Sequence, residues 1–146
     1  MQVSLMNVQR QHETYADEYE QAALNVLRSG GFIGGPEVAS FEEEFAAYQG
    51  AKYGISCGNG TDAIVLALRA LGIGSGDEVI TVSWTFFATA ESIAAVGATP
   101  VFVDVCPDTY CMNPDLVPAA CAQSAMRNKP CFLHIAFNLY ISQLCP

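Results

Sequence analysis

The first fifty residues carry apolar positions at helical spacing, and the next fifty alternate between strand and helix. Over residues 14–29 (TYADEYEQAALNVLRS), Tyr15, Tyr19, Ala22, Val26 and Leu27 share one helical face. Gly30 and Gly31 then supply a stop. In FIGGPEVASFEEEFAAYQG, Pro36 suits the first position of a second helix, and Val38, Phe41, Phe45 and Tyr48 form its apolar stripe. Glu42, Glu43 and Glu44 are its solvated side, and Gly50 its end. From there the rhythm changes. The pattern predicts a short strand at Tyr53–Cys57, the loop Gly58-Asn59-Gly60, and a largely buried helix over Thr61–Leu71 ending at Gly72. A strand follows at Glu78–Val82, then a bend at Ser83-Trp84 and a helix over Ala88–Val96 closed by Gly97. A third strand runs over Thr99–Val105. Successive strand–helix–strand units imply right-handed crossovers and a parallel sheet with helices on both faces, an α/β class of fold. Asn113-Pro114-Asp115 offers a cap, a first-turn proline and an acid near the positive end of a further helix. Beyond about Ala120, CAQSAMRNKPCFLHIAFNLYISQLCP shows neither a capped helix nor a strand bounded by turn residues. The chain has no internal repeat.

Length and composition narrow the function classes. The 146 residues suit one domain with a real core, and 51 % apolar against 14 % charged residues argues against disorder. The formal charge of −9 leaves only Arg10, Arg28, Lys52, Arg69, Arg127 and Lys129 as cations, with no basic stripe among them. Nucleic acid is therefore not an expected partner, because binding a phosphate backbone needs clustered cations to displace counterions. No stretch reaches the roughly 18 apolar residues of a membrane span, and the N-terminus lacks a basic start followed by an apolar run. A cytoplasmic location and no membrane partner are expected. The six cysteines have no CxxC or Cys/His metal spacing, so no metal is expected and the thiols should stay reduced. Cys106, Cys111, Cys121, Cys131 and Cys145 all lie in the last third. His12, in a polar stretch, and His134, in the patternless tail, are not expected to be catalytic.

Candidate chemistry gathers at Gly58-Asn59-Gly60-Thr61-Asp62, which joins a predicted strand to the start of a helix. In open α/β sheets ligands sit at that edge, and the unpaired first-turn amides can hold an anion by backbone alone. Glycine permits close approach and the Thr61 hydroxyl can add a hydrogen bond. A tight turn in which Asn59 or Thr61 merely caps the helix fits the same residues. Gly58-x-Gly60-x-x-Ala63 also matches a dinucleotide fingerprint, but the next strand runs into Ser83-Trp84-Thr85-Phe86 without the acid that would hold a ribose. The aromatic run Trp84-Thr85-Phe86-Phe87 reaches the same sheet edge, where a ring can stack on a flat ligand or simply pack in the core. Asp104 ends the third strand there, as a pocket or a capping residue.

Taken together, NGTDA, GDEVIT, TFFATAE and GATPVFVDV, in that order and with matching gaps, resemble the DegT/DnrJ/EryC1/StrS group. The resemblance covers about residues 3–120. It implies the N-terminal part of the large domain of a fold-type-I pyridoxal-phosphate-dependent transferase, a parallel-sheet α/β/α core. It further implies an aminotransferase of nucleotide-linked keto sugars, such as those of polysaccharides or antibiotics, with glutamate as amino donor and a homodimer as the full-length form. By the same resemblance Gly60, Thr61 and Asp62 bind the cofactor phosphate and Phe86 stacks on its ring, in preference to Trp84. Gly34-Gly35-Pro36 resembles the part near the sugar and the dimer partner.

The resemblance places the Schiff-base lysine, and the aspartate that pairs with the pyridine nitrogen, downstream of every matched residue. Lys52 and Lys129 match neither, no catalytic residue is assigned, and this chain alone is expected not to transaminate. A dehydratase of the same family, with histidine in place of that lysine, remains an alternative, as does a non-enzymatic truncated product. The expected division is an N-terminal helix and arm over 1–35, a partial large domain over 36–120, and a divergent tail over 121–146. The abrupt loss of pattern suggests a frameshift near Val117–Cys121, with the tail outside the fold. A sheet cut after three strands should expose an edge and apolar faces, making the chain prone to aggregate.

Overall fold

The computed structural model describes residues 6–126 and 131–133. They fall into two compact units, one up to Ser56 and one from Cys57 onward.

The first unit contains α1 (Val8–Thr14), α2 (Ala16–Ser29) and α3 (Pro36–Gln49). The Asn7 side chain accepts from the Arg10 amide at 2.9 Å and so starts α1 six residues before the predicted helix. Tyr15, at φ −127°, closes α1 and opens α2, which divides the apolar face near its start. Gly30 then ends α2 in the left-handed conformation, where glycine carries no steric penalty. Pro36 occupies the first turn of α3 behind Gly35, as the pattern predicts.

The strand predicted at Tyr53–Cys57 does not form. A strand needs a neighbour to take its amides, and here the Ser56 amide is taken by a side chain. Both the N–H and the Oγ of Ser56 donate to Glu42 Oε1, at 2.8 and 2.7 Å. Beside them Gly54 passes so close to α3 that a Cβ would collide with the Glu42 carbonyl. Glu42, read from sequence as part of a solvated face, is thus the clasp that ties residues 54–56 to α3. The Ser56 hydroxyl, and after it the Ser56 amide, hold the Glu42 carboxyl below the usual glutamate range. Because the folded form is the stronger acid, the clasp contributes fully at neutral pH and is lost as pH falls through that lowered pKa. Glu42→Gln should remove this acid dependence of the first unit, measured as amide-exchange protection of Ser56 against pH. An unchanged profile in the variant would rule the clasp out.

The second unit begins with α4 (Gly60–Ala70) and continues through β1 (Glu78–Val82), α5 (Ala88–Ala95) and β2 (Thr99–Val103). A 3-10 turn (Pro114–Leu116) leads into α6 (Val117–Met126), and β3 (Cys131–Leu133) follows. The sheet is parallel with order β2-β1-β3. Glu78 pairs with Thr99 on one side and Cys131 on the other, and Ile80 with Val101 and Leu133. All five residues of β1 are buried, as a central parallel strand requires. Alternation along it then serves two cores. Val79 packs with Ile64 and Leu68 of α4, Ile73, Ile93 of α5 and Ala98. Ile80 and Val82 pack with Val103 and, from α6, Ala120. Each of these buried aliphatics contributes about 1.5–3 kcal/mol, so the strand fastens helices on both faces.

The expected loss of structure after Ala120 is therefore not what occurs among the described residues. α6 runs on to Met126, and β3 completes the sheet beside β1. The helix begins where Asn113-Pro114-Asp115 marked it, but its continuation was hidden because its helical face is made of small residues, Ala120, Cys121 and Ser124, in place of a large apolar stripe. Residues 127–130 and 134–146, with Arg127, Lys129, His134 and Cys145, lie outside the described residues. What fastens α6 most specifically is polar. Ser124, fully buried, donates its hydroxyl to the carboxylate of Glu78, itself only 2 % exposed. A buried carboxylate deprived of one donor costs roughly 1–3 kcal/mol. Ser124→Ala should lower the unfolding free energy of the second unit by about that amount in a urea titration. A change near zero would show that α6 is not integral to the sheet.

Candidate functional site

The sheet's topology creates a crevice before any side chain is considered. The chain leaves the carboxyl end of β1 toward α5 and that of β2 toward α6, and these helices pack on opposite faces. Neighbouring strands whose connections diverge in this way open a cleft at their carboxyl edge, the usual ligand position in such sheets. Three segments border that end of the unit: 83–87 after β1, 104–113 after β2, and the start of α4, held beside α5.

Of the two alternatives open for the glycine loop, the capping one is seen directly. Asn59 is the N-cap of α4: its Oδ1 accepts from the Asp62 amide at 2.9 Å, and its Nδ2 donates to Asp62 Oδ2 at 3.0 Å. The Ala63 amide already bonds the Asn59 carbonyl. That leaves the Gly60 and Thr61 amides without hydrogen bonds among the described residues. They sit at the positive end of an eleven-residue helix. Around Gly60 nothing lies within 4 Å of where a Cβ would be, so an incoming group meets open backbone. Gly58 is tighter, since its Cβ would stand 3.0 Å from Asp62 Oδ2. The predicted trio is therefore brought together but not equivalent. Gly60 and Thr61 present donors, whereas the Asp62 amide is already engaged in capping.

The aromatic run is placed from the other side. Ser92 Oγ, fully buried, donates to the Thr61 carbonyl at 3.3 Å and so fixes α5 against the first turn of α4. One helical step earlier, the hydroxyls of Thr85 and Thr89 meet at 2.9 Å, and the Thr89 amide bonds the Phe86 carbonyl. Phe86 lies just before α5 and is tied to its first turn by that bond. Its ring is 67 % exposed with no aromatic neighbour among the described residues. Trp84 instead already packs against Tyr110, ring centroids 6.3 Å apart. Sequence reasoning missed Ser92 and Tyr110. Tyr110 is the one described residue other than glycine with positive φ, +56°, and nothing in the bare sequence marks that conformation. Asp104 serves its own loop: its Oδ1 accepts from Val105 N, and its carbonyl from Asn113 N.

Residues 13–126 match the model of the DegT/DnrJ/EryC1/StrS aminotransferase family. The chain belongs to this family. A UDP-2-acetamido-2-deoxy-3-oxo-D-glucuronate aminotransferase of Pseudomonas aeruginosa is 46 % identical over 81 % of the chain and 33 % of its own length. A pleiotropic regulatory protein of Geobacillus stearothermophilus is 46 % identical over 92 % of the chain and 36 % of its own length. Among solved structures, a DegT DnrJ EryC1 StrS aminotransferase from Brucella abortus superposes with a TM-score of 0.83 at 40 % identity, covering 90 % of this chain and 36 % of that one. NtdA of Bacillus subtilis, solved with bound cofactor PMP, superposes with a TM-score of 0.76 at 35 % identity, covering 82 % of this chain and 28 % of that one. The chain thus spans about a third of the length of the curated relatives it matches. Its second unit is an α/β portion of the aminotransferase fold, and the family is enzymatic. Among the described residues no helix is long and apolar enough to cross a membrane.

Removing the cap isolates the local contribution of the loop. Asn59→Ala should destabilise the second unit by about 1 kcal/mol, seen as a shifted denaturation midpoint. No shift would mean that the Asn59 hydrogen bonds to Asp62 do not hold the loop.

Proposed function

We propose that the start of α4 holds the phosphate of pyridoxal 5'-phosphate and that Phe86 stacks on its ring, within an aminotransferase of nucleotide-linked keto sugars. The observation that carries this reading is the pair of open amides at Gly60 and Thr61 beside a loop without a Cβ at position 60. A dianionic phosphate fits such donors, because an anion at a helix N-terminus meets both N–H groups and the partial positive charge of the helix end. The Thr61 hydroxyl stands at the same turn as a third donor. Phe86 offers an exposed ring just before α5 with no aromatic neighbour among the described residues, while Trp84 lies beside Tyr110. The Ser92 hydroxyl is the positioning element that holds the two segments together. When bound, the cofactor supplies an aldehyde and an electron-withdrawing ring through which an amino group is exchanged.

Glutamate as amino donor, a nucleotide-linked keto sugar as acceptor and a homodimeric whole protein complete the proposal. The sugar class is supported by what the Pseudomonas aeruginosa relative is named for. A homodimer is supported by the large exposed apolar residues of the first unit, Phe32, Ile33, Phe41 and Phe45. The residues named here bind and orient. None is proposed as the group that carries the amine, and Lys52, whose Nζ lies 5.0 Å above the Tyr53 ring, is not a candidate.

Titrating the chain with pyridoxal 5'-phosphate and with pyridoxal separates phosphate recognition from reaction of the aldehyde with surface amines. The phosphate ester should bind at least roughly tenfold tighter, a ratio that Thr61→Val cuts by about tenfold, since a hydrogen bond to a charged group contributes about 1.5–3 kcal/mol. Equal affinity for the two compounds, or no loss in the variant, would defeat the proposal.

A further inference from the structure

The family likeness leaves one feature of the β2–α6 connection unexplained. Two of the cysteines face each other across it. Val105 and Met112 form an antiparallel bridge, and the next pair inward is Cys106 and Cys111. Their backbones are joined directly: the Cys106 amide donates to the Cys111 carbonyl at 2.8 Å. The four-residue loop between them, Pro107-Asp108-Thr109-Tyr110, folds back through a bond from the Tyr110 amide to the Cys106 carbonyl at 2.9 Å. Both cysteines are thiols and both are half-buried, next to fully exposed Asp108 and Thr109.

Geometry decides what such a pair can do. Residues directly opposite in an antiparallel pair point their side chains to the same face, with Cα atoms about 4.5–5.5 Å apart. Disulfides span Cα separations of about 4.4–6.8 Å. The two ranges overlap, so the pair stands within disulfide reach. We propose that Cys106 and Cys111 are a covalent modification site: a dithiol that glutathione disulfide, or another small disulfide, converts to an intraloop disulfide. One protein thiolate attacks a sulfur of the small disulfide, forms a mixed disulfide and expels one thiolate. The second cysteine attacks the protein-bound sulfur and expels the other. Two protein thiols are oxidised, one small disulfide is reduced to two thiols, and the two protons lost by the cysteines end on the leaving sulfurs.

The consequence is local and has its own reporter. Tyr110, in the strained left-handed conformation, sits within the loop that the bond would close, and its ring packs on Trp84, the only tryptophan of the chain. Closing the bond restricts that loop and so alters the surroundings of Trp84. This holds whether or not the start of α4 binds a cofactor phosphate.

The test equilibrates the full chain with mixtures of reduced and oxidised glutathione, alkylates the remaining thiols, and reads each of the six cysteines by mass spectrometry alongside Trp84 emission. The expected result is that the 106–111 peptide loses two hydrogens at a lower oxidant ratio than any other cysteine reacts. Trp84 emission should shift in parallel and recover with reductant. Cys106→Ser and Cys111→Ser should each hold a lasting mixed disulfide on the remaining cysteine and show a smaller emission shift. The proposal is overturned if both thiols stay alkylatable, if the mixed disulfide persists in the unmodified chain, or if either cysteine pairs elsewhere. Closure with unchanged Trp84 emission would overturn the coupling to Tyr110.

Discussion

Everything in the second unit depends on β1 being buried on both faces. Its five residues touch no solvent to speak of, and it is hydrogen-bonded to a strand on either side. A strand in that position cannot spare a face for water, so each residue must find a partner above or below the sheet. Val79 does so with α4 and α5, Ile80 and Val82 with β2 and α6. Glu78, the one charged residue of the strand, meets the same demand through Ser124. Burying a carboxylate without donors would cost more than the packing around it returns. The Ser124 contact is one of the interactions that hold α6 against β1, beside the packing of Ala120 on Ile80 and Val82.

That second crossover is what opens the crevice. Had both connections left to one face, the carboxyl ends of β1 and β2 would be roofed by the same layer of helix. Because they part, the segment 83–87 and the loop 104–113 both end at the sheet's open edge, and a single hydrogen bond, Ser92 to the Thr61 carbonyl, brings the start of α4 to α5. The open helix start is therefore a by-product of packing: α4 is held by apolar contacts along its length, through Ile64 and Leu68, while its first two amides stay open. Asn59 deepens the asymmetry by taking the third amide and leaving the first two.

Much of this was legible in the residues. β1 falls where alternation placed it, α4 and α5 differ from expectation by about a residue at their ends, and Pro36 and Gly50 bound α3 as their chemistry requires. The failures have physical causes. Residues 53–57 have strand composition, but the Ser56 amide went to the Glu42 carboxylate, a competition that composition does not reveal. The start of α6 was marked by Asn113-Pro114-Asp115, but its run past Ala120 was not legible, because a helix that packs with small residues against a sheet carries no strong apolar period. The face of α2 shows the reverse case, for its apolar stripe is plain in sequence, yet Tyr15, Tyr19 and Leu27 remain exposed.

By itself, the sequence determined the family, through motifs that resemble it in order and gaps, and the order of elements and the residue types at the sheet edge, through local spacing, caps and turn glycines. It could name Gly60, Thr61, Asp62 and Phe86, but not rank them. Only tertiary structure decided that Gly60 and Thr61 keep open amides while Asp62 does not, that Trp84 is engaged by Tyr110 and Phe86 is not, and that Cys106 stands opposite Cys111. Each of these is a matter of which donor, ring or thiol found a partner several residues or a whole element away. A linear pattern specifies what a residue offers. The packing of β1 and its flanking helices specifies what it meets.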